Sequence, residues 1–294
     1  MVDFLREKSS YLLLPLFTLL GWFKKRRYDR IEKFCCFIGY SRSGHTIVGS
    51  MLDAHPDIVI STEADVFNLL NQGYRRNGMY FFLEFWSKFI ARIMGNQWTG
   101  YDYRVPGWYQ GAKKEPKIIG DKKGSKSLKR IMAKPRLTSV LSKRAGIPVK
   151  YVHVVRNPFD NIATMHNRSP EVQNVSNTKT STTGAKVYPQ ILKGKIDVYF
   201  RKAKGVRDLL ETQDLDVLHI HHEDLISKPK RTMKRLLKFL GLPVSKDYLA
   251  ACAGIIFESP HKSRNSFEWP EDLKAKVEKK MQKIPFLADY KFEE

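Results

Sequence analysis

The strongest constraint in this sequence is an apolar run that feeds straight into a glycine-bounded turn and then a helix. Phe34–Ile38 reads as a buried strand. Gly39-Tyr40-Ser41-Arg42-Ser43-Gly44-His45-Thr46 follows, and Ile47, Val48, Met51 and Leu52 then fall at helical spacing. A strand, a tight turn and a helix start, in that order, aim backbone N–H groups and the positive end of the helix dipole at one point. That point is a cradle for an oxyanion. The unit also dictates its surroundings, because a strand that runs into a helix pairs with parallel neighbours through crossover connections.

The rest of the chain supplies those neighbours. Asp57–Ile60, Lys117–Ile119, Val149–Val155 and Val217–Ile220 are short, near-continuous apolar runs with helical patterns between them. Such strands belong to a parallel sheet covered on both faces. One helix starts at Pro229, carries Met233, Leu236, Leu237 and Leu240 as its stripe, and stops at Gly241 and Pro243. Another starts near Pro270 with Leu273, Val277 and Met281 on one face. The turn has the spacing of a Walker A loop, G-x4-G-K-[ST], with His45 in the lysine's place and a cation earlier, at Arg42. The nearest candidate for a Walker B aspartate is Asp121, after Ile119-Gly120. The expected fold is α/β: a P-loop-type three-layer αβα sandwich around a central parallel sheet of about five strands. Residues 31–294 are expected to form one domain, and 1–30 a separate apolar and basic segment.

Composition enters through charge. The 294 residues hold 52 Lys and Arg against 30 Asp and Glu, a formal net charge of +22. Residues 101–150 alone hold fourteen basic and three acidic side chains. This points to a polyanionic partner without choosing one. No zinc-finger spacing or RNA-binding aromatic signature is present, so no specific nucleic acid is expected. Three cysteines, two of them adjacent (Cys35, Cys36), exclude a disulfide scaffold. Tyr11–Phe23 is a thirteen-residue apolar run with Pro15 inside it and Lys24, Lys25, Arg26 and Arg27 after it. It is shorter than the roughly 18–20 residues of a span, and the basic residues follow rather than precede it. Spanning a membrane, lying on its surface and packing on the domain all stay open. Membrane association would place the chain in the secretory pathway, at the Golgi, and its absence in the cytoplasm. Residues 64–112 hold thirteen of the thirty-five aromatics, as core or as the lining of an acceptor pocket. Residues 169–189, rich in Ser, Thr and Asn, read as a long loop or lid.

Three motifs carry a resemblance. Gly39 through Thr46, with Met51-Leu52-Asp53-Ala54-His55-Pro56 after it, resembles the 5′-phosphosulfate loop of the sulfotransferases that use 3′-phosphoadenosine 5′-phosphosulfate (PAPS). The style is closest to the tyrosylprotein and carbohydrate branch. The strand ending at Arg156, followed by Thr164 eight residues on, resembles the family's 3′-phosphate site, where a Ser is usual in the Thr position. Arg168 matches a further phosphate contact. His222-Glu223-Asp224-Leu225, Pro229 and Phe239-Leu240-Gly241 resemble the family's Y-E-D-L and F-L-G elements, with His222 replacing Tyr. Lys262-Ser263-Arg264 before Trp269 fits its last cofactor segment. The resemblance implies that Arg42, Ser43, Gly44, His45, Thr46, Arg156, Thr164, Arg168, Ser263 and Arg264 bind the donor, with no metal.

Sulfuryl transfer is an in-line displacement, served by positioning and electrostatics. Arg42, in the loop that would hold the phosphosulfate, is assigned to the leaving oxygen. Glu63, twenty-one residues after Arg42 at the end of the second strand, fits the family's catalytic glutamate, with His45 as the alternative base. Lys122, in Gly120-Asp121-Lys122-Lys123, resembles the lysine that assists the sulfo group. Strand periodicity would let only one of Lys122 and Lys123 face inward. The expected acceptor is a hydroxyl on a carbohydrate or a tyrosine, with an acidic glycan or acid-flanked tyrosine suggested by the charge. Rival readings are a P-loop kinase or NTPase and a non-catalytic basic module for polyanions or membranes.

Overall fold

A computed structural model describes residues 10–94, 102–112, 115–176 and 187–293. Five strands form its centre: β1 Lys33–Ile38, β2 Ile58–Thr62, β3 Ile118–Lys122, β4 Val149–Val155 and β5 Val217–His221. They lie in the order β2-β3-β1-β4-β5, and every neighbouring pair is parallel. The expected α/β architecture is therefore present. β3 runs further than its apolar residues indicate. Gly120, Asp121 and Lys122 pair with Ile60, Ser61 and Thr62 of β2, so the neighbouring strand supplies the ladder that the polar sequence does not advertise.

Helices fill the crossovers. α1 Leu14–Phe23 and α2 Lys25–Tyr28 precede β1, and α3 His45–Ala54 links β1 to β2. α4 Val66–Asn71 and α5 Arg76–Phe89 come before β3; α6 Ser125–Ala133 and α7 Leu137–Ala145 come before β4. α8 Pro158–Asn167, α9 Pro170–Ser176 and α10 Pro189–Thr212 lead to β5. α11 His222–Ser227, α12 Pro229–Leu240, α13 Lys246–Gly254 and α14 Glu271–Met281 follow it. The strand period of two sorts β1 between the layers. Phe34, Cys36 and Ile38 join a core with side chains of α1, α4 to α7 and α10, while Cys35 and Phe37 join one with α3, α12 and α13. All three cysteines are free and buried, and burial pushes the Cys35 thiol up to about 12, so they behave as core apolar groups.

One open reading is decided and one expectation is corrected. The aromatic stretch is core rather than pocket lining. Phe67, Tyr74, Tyr80 and Phe82 are almost completely buried, and Phe82 stacks on Trp86 with centroids 5.9 Å apart. Among the described aromatics of 64–112, Tyr103 alone lines the central cavity, and Trp98 lies outside the described residues. The segment 169–189 is not all loop: it contains α9 and the start of α10. Ser169 and Pro170 give α9 a local start signal that the polar composition masks, and Val172 N–H donates to the Ser169 carbonyl at 3.1 Å. Residues 177–186 lie outside the described residues.

The N-terminal run becomes α1, with Pro15 in its first turn, where a missing N–H costs nothing. α1 lies on α5. Phe17 is buried against Phe81, Phe82 and Phe85, and Gly21 sits so close that a Cβ there would meet the Asn77 carbonyl oxygen at 2.3 Å. Among the described residues, no helix is long and apolar enough to cross a membrane. If the aromatic stretch is load-carrying core, Phe82→Ala should destabilise the fold by about 3–5 kcal/mol in urea unfolding. A loss below about 1 kcal/mol would contradict the packing.

Candidate active site

The ends of β1 to β4 open on a cavity of about 790 Å³. Ligands bind at the carboxyl ends of strands in such sheets because helix N-termini and strand-end side chains converge there. Among its lining groups are eight cations: Arg42, Lys122, Lys123, Lys126, Lys129, Arg156, Arg168 and Lys202. Glu63 is the single acid with them.

The loop from β1 to α3 is held from inside. The His45 Nε2 lies 3.2 Å from the Ile38 carbonyl and its Nδ1 3.1 Å from the Ser43 hydroxyl. Ser43 Oγ is also 3.0 Å from the Tyr40 carbonyl. Burial, reinforced by Lys122, lowers the His45 pKa to about 4. The neutral ring donates from Nε2 to the Ile38 carbonyl with Nδ1 beside the Ser43 hydroxyl, so it latches the loop and is poorly placed to take a proton from an acceptor. Gly44 has φ +102°, and the edge of His222 lies 2.6 Å from where a Cβ would stand. Two reasons, backbone and space, therefore require glycine there. His222 is itself kept neutral by burial and by Arg156, which lower its pKa to about 3.

Arg156 joins the motifs that sequence spacing singled out separately. Only 7% exposed, it donates from Nη1 to the Arg42 carbonyl at 3.3 Å and to Thr164 Oγ1 at 3.2 Å. Its Nη2 donates to the His261 carbonyl at 2.7 Å and Ser263 Oγ at 3.3 Å. Thr164 and Ser263 also meet directly, Oγ1 to Oγ at 2.9 Å. Arg168 stands one turn beyond Thr164, exposed on the cavity wall. Arg264 does not join them. Its side chain turns to Asp160 (3.7 Å) and the Lys291 carbonyl (3.4 Å), and it lines a different cavity.

At the other side of the cavity, Glu63 lies between two lysines. Lys122 Nζ is 2.8 Å from Glu63 Oε1, and Lys123 Nζ is 2.6 Å from Oε2. The expectation that only one lysine faces inward is corrected: β3 ends at Lys122, so Lys123 escapes strand alternation and both reach the same carboxylate. Burial alone would raise the Glu63 pKa, but the two lysines outweigh it and hold the carboxyl below its ordinary value. Lys122 also reaches Thr46 Oγ1 at 3.4 Å, its stem lying over Gly49, where a Cβ would be 2.8 Å from Lys122 Cγ.

Sequence reasoning missed how Glu63 is positioned. Glu63 and Asp65 both have left-handed backbones, φ 63° and 66°, which is costly outside glycine. Asp121, completely buried, braces this elbow by accepting from Ala64 N–H at 3.0 Å and Val66 N–H at 2.9 Å. Arg130 clamps Asp65 from the other side with two bonds of 2.8 and 2.9 Å. Asp121 is thus committed to backbone, which removes it as a Walker B aspartate. The only sequence signal was an acid inside an apolar strand.

A phosphate-type loop, a buried arginine hub and a carboxylate held by two lysines define an α/β group-transfer protein that handles an anionic nucleotide. The sulfotransferase domain model matches residues 35–287, and the chain belongs to the sulfotransferase family. Among solved structures, the sulfotransferase domain from the curacin biosynthetic pathway has 14% identity and a TM-score of 0.50, covering 89% of this chain and 99% of that one. The mouse sulfotransferase SULT7A1 complexed with PAP has 13% identity and a TM-score of 0.46, covering 88% and 86%. Sulfotransferase STF1 from Mycobacterium tuberculosis has 14% identity and a TM-score of 0.47, covering 91% and 83%. No curated protein matches the sequence.

The elbow yields a test. Asp121→Asn replaces one acceptor by a donor facing a backbone N–H and should lower kcat about 10–100-fold with little change in donor KM, because a displaced group about 1 Å away costs that much. Burial, with help from Asp65 and Glu63, raises the Asp121 pKa from 3.8 to about 7. The folded state therefore binds this proton more tightly than the unfolded chain. Its contribution is fully present below pH 3.8 and is lost as pH rises towards about 7. Thermal melts across that window should show a smaller decline for the variant, and equal declines would remove Asp121 as the cause.

Proposed function

We propose that the protein transfers the sulfo group of PAPS to a hydroxyl on an anionic acceptor, releasing adenosine 3′,5′-bisphosphate. The observation that carries this reading is one cavity holding both the Arg156–Thr164–Ser263 cluster and the Lys122–Glu63–Lys123 triad. Family membership supports the donor assignment. Arg156, Thr164 and Ser263 suit a terminal phosphate, since a buried guanidinium and two hydroxyls offer directed donors. Arg168 adds charge at the same wall.

The chemistry divides among the chain's residues. The loop backbone around Ser43 to Thr46, together with Arg42, would hold the 5′-phosphosulfate. Glu63, ionised at neutral pH, accepts the acceptor hydroxyl's proton as its oxygen attacks sulfur. The S–O bond to the nucleotide breaks as the new S–O bond forms, and charge develops on the bridging oxygen. Lys122, Lys123 and Arg42 offset that charge. A His45 base is not favoured, because both its ring nitrogens are engaged.

Three of the cavity's eight cations remain for the acceptor side. Lys126 and Lys129 of α6 and Lys202 of α10 line the cavity beyond the groups assigned to the donor. Burial, then Arg201 and Lys129, lower the Lys202 pKa, a sign of cations crowded against one another. Like charges held together are relieved by an anion. We therefore favour an acidic glycan or an acid-flanked tyrosine over a neutral hydroxyl.

Adding adenosine 3′,5′-bisphosphate should raise the melting temperature, because ligand at about 100 Kd stabilises the fold by about 2.7 kcal/mol. Arg156→Ala should abolish that shift. Glu63→Gln should keep it while turnover falls about 10²–10⁴-fold. The acid limb of wild-type activity should lie below the usual Glu value of 4.5. No shift would sink the donor reading, and a limb near 6.5 would move the base to histidine. A shift with Mg-ATP in place of the bisphosphate would favour the kinase reading.

The acceptor reading has its own readout. Lys129→Ala with Lys202→Ala should raise KM for an anionic acceptor about tenfold or more at low salt and leave donor KM unchanged. The wild-type acceptor KM should rise with salt, approaching that of the variant. A salt-independent acceptor KM would leave the hydroxyl carrier neutral.

A further inference from the structure

We propose that α1 and the adjoining edge of α5 dock on an anionic phospholipid membrane, with α1 lying along the surface. This rests on a sided helix and is independent of the transferase reading. Phe17 and Gly21 of α1 face α5 and are buried. The other side is apolar and exposed: Leu16, Leu19, Trp22 and Phe23, with Leu12 in the turn just before the helix, are between 46% and 74% accessible. Positions 12, 16, 19 and 23 form one helical stripe. Phe85 of α5, 41% accessible, extends it sideways through its ring contact with Phe17 at 5.4 Å. Single exposed apolar residues are ordinary on a soluble surface, but six large ones side by side mark an interaction site.

The order of chemistry along the stripe selects the partner. Aliphatic residues come first, then Trp22 and Phe23, then Lys24, Lys25, Arg26 and Arg27. Lys25 and Arg26 are exposed. An aliphatic ridge, aromatic rings and a basic cluster match acyl chains, the interfacial layer and anionic headgroups. The length excludes a crossing by this helix alone. Even the whole thirteen-residue run Tyr11–Phe23 would make only about 20 Å of helix, short of a hydrocarbon core of about 30 Å. A second copy of the chain fits less well, since each copy carries a formal charge of +22 and the stripe ends in cations. An apolar ridge and a basic cluster together supply the two signals that stable surface binding requires.

The test is co-sedimentation of the full chain with vesicles of phosphatidylcholine, with and without phosphatidylserine. Binding should require phosphatidylserine and weaken with salt. Leu19→Asp with Trp22→Asp should reduce partitioning about tenfold or more, and Lys25→Glu with Arg26→Glu should do the same. Both changes are at exposed positions, so melting temperature and its shift with adenosine 3′,5′-bisphosphate should stay as in the wild type. Three results overturn the proposal: no binding to either vesicle, unchanged binding of the Leu19/Trp22 variant, or a dimer in solution that this variant dissociates.

Discussion

The arrangement turns on the burial of Arg156. A guanidinium cannot shed its charge, so taking it out of water costs several kcal/mol unless good partners surround it. The fold supplies four neutral acceptors from three places: the Arg42 carbonyl of the loop after β1, Thr164 of α8, and His261 and Ser263 of the segment between α13 and α14. These satisfy the guanidinium's directional needs without cancelling its charge. The same bonds fasten three separate segments to one atom group. A negatively charged ligand at this point would offset the remaining desolvation cost, so binding and local order are coupled.

A second buried charge problem is solved differently. Glu63 is set between Lys122 and Lys123, and the three groups carry a net positive charge. Two lysines per carboxylate keep the carboxylate ionised, yet leave a cationic excess for an anion to neutralise. The strained elbow that carries Glu63 persists because Asp121 and Arg130 over-determine it from both sides. Positive φ at Arg42, Glu63 and Asp65 places the backbone outliers beside the proposed reacting groups.

The parallel sheet was legible because apolar runs such as Val149–Val155 are unambiguous when bounded by helical patterns and turns. Arg156, Thr164 and Ser263 were legible only through resemblance, since nothing in their spacing announces that residues 99 and 107 positions apart will touch. The reach of Lys123 is not legible from strand alternation, because β3 ends one residue before it. The aromatic stretch was ambiguous because density alone does not distinguish a core from a pocket. That depends on which face of α5 meets the sheet, and Phe82 and Trp86 face inward while Phe85 does not. Arg264 does not line the cavity with Ser263, because adjacent residues in the 3-10 helix Ser263–Ser266 point in different directions.

The histidine in the loop acquires its meaning from the same geometry. In a Walker-type loop the lysine at this position brings a cation to the phosphate oxygens. His45, neutral and bonded to the Ile38 carbonyl, cannot do so. Lys122 comes from β3 instead, crosses over Gly49 and brings its ammonium within 3.4 Å of Thr46 Oγ1. The ammonium stands on the adjacent strand, where it also meets Glu63, while the loop keeps Arg42. A lysine on the loop would be tied to the nucleotide alone. One on β3 links the nucleotide side of the cavity to the proposed base, so the charge that would steady the leaving oxygen also fixes the ionisation of the group that would receive the proton. One ammonium thus ties Thr46 of α3 to Glu63 beyond β2.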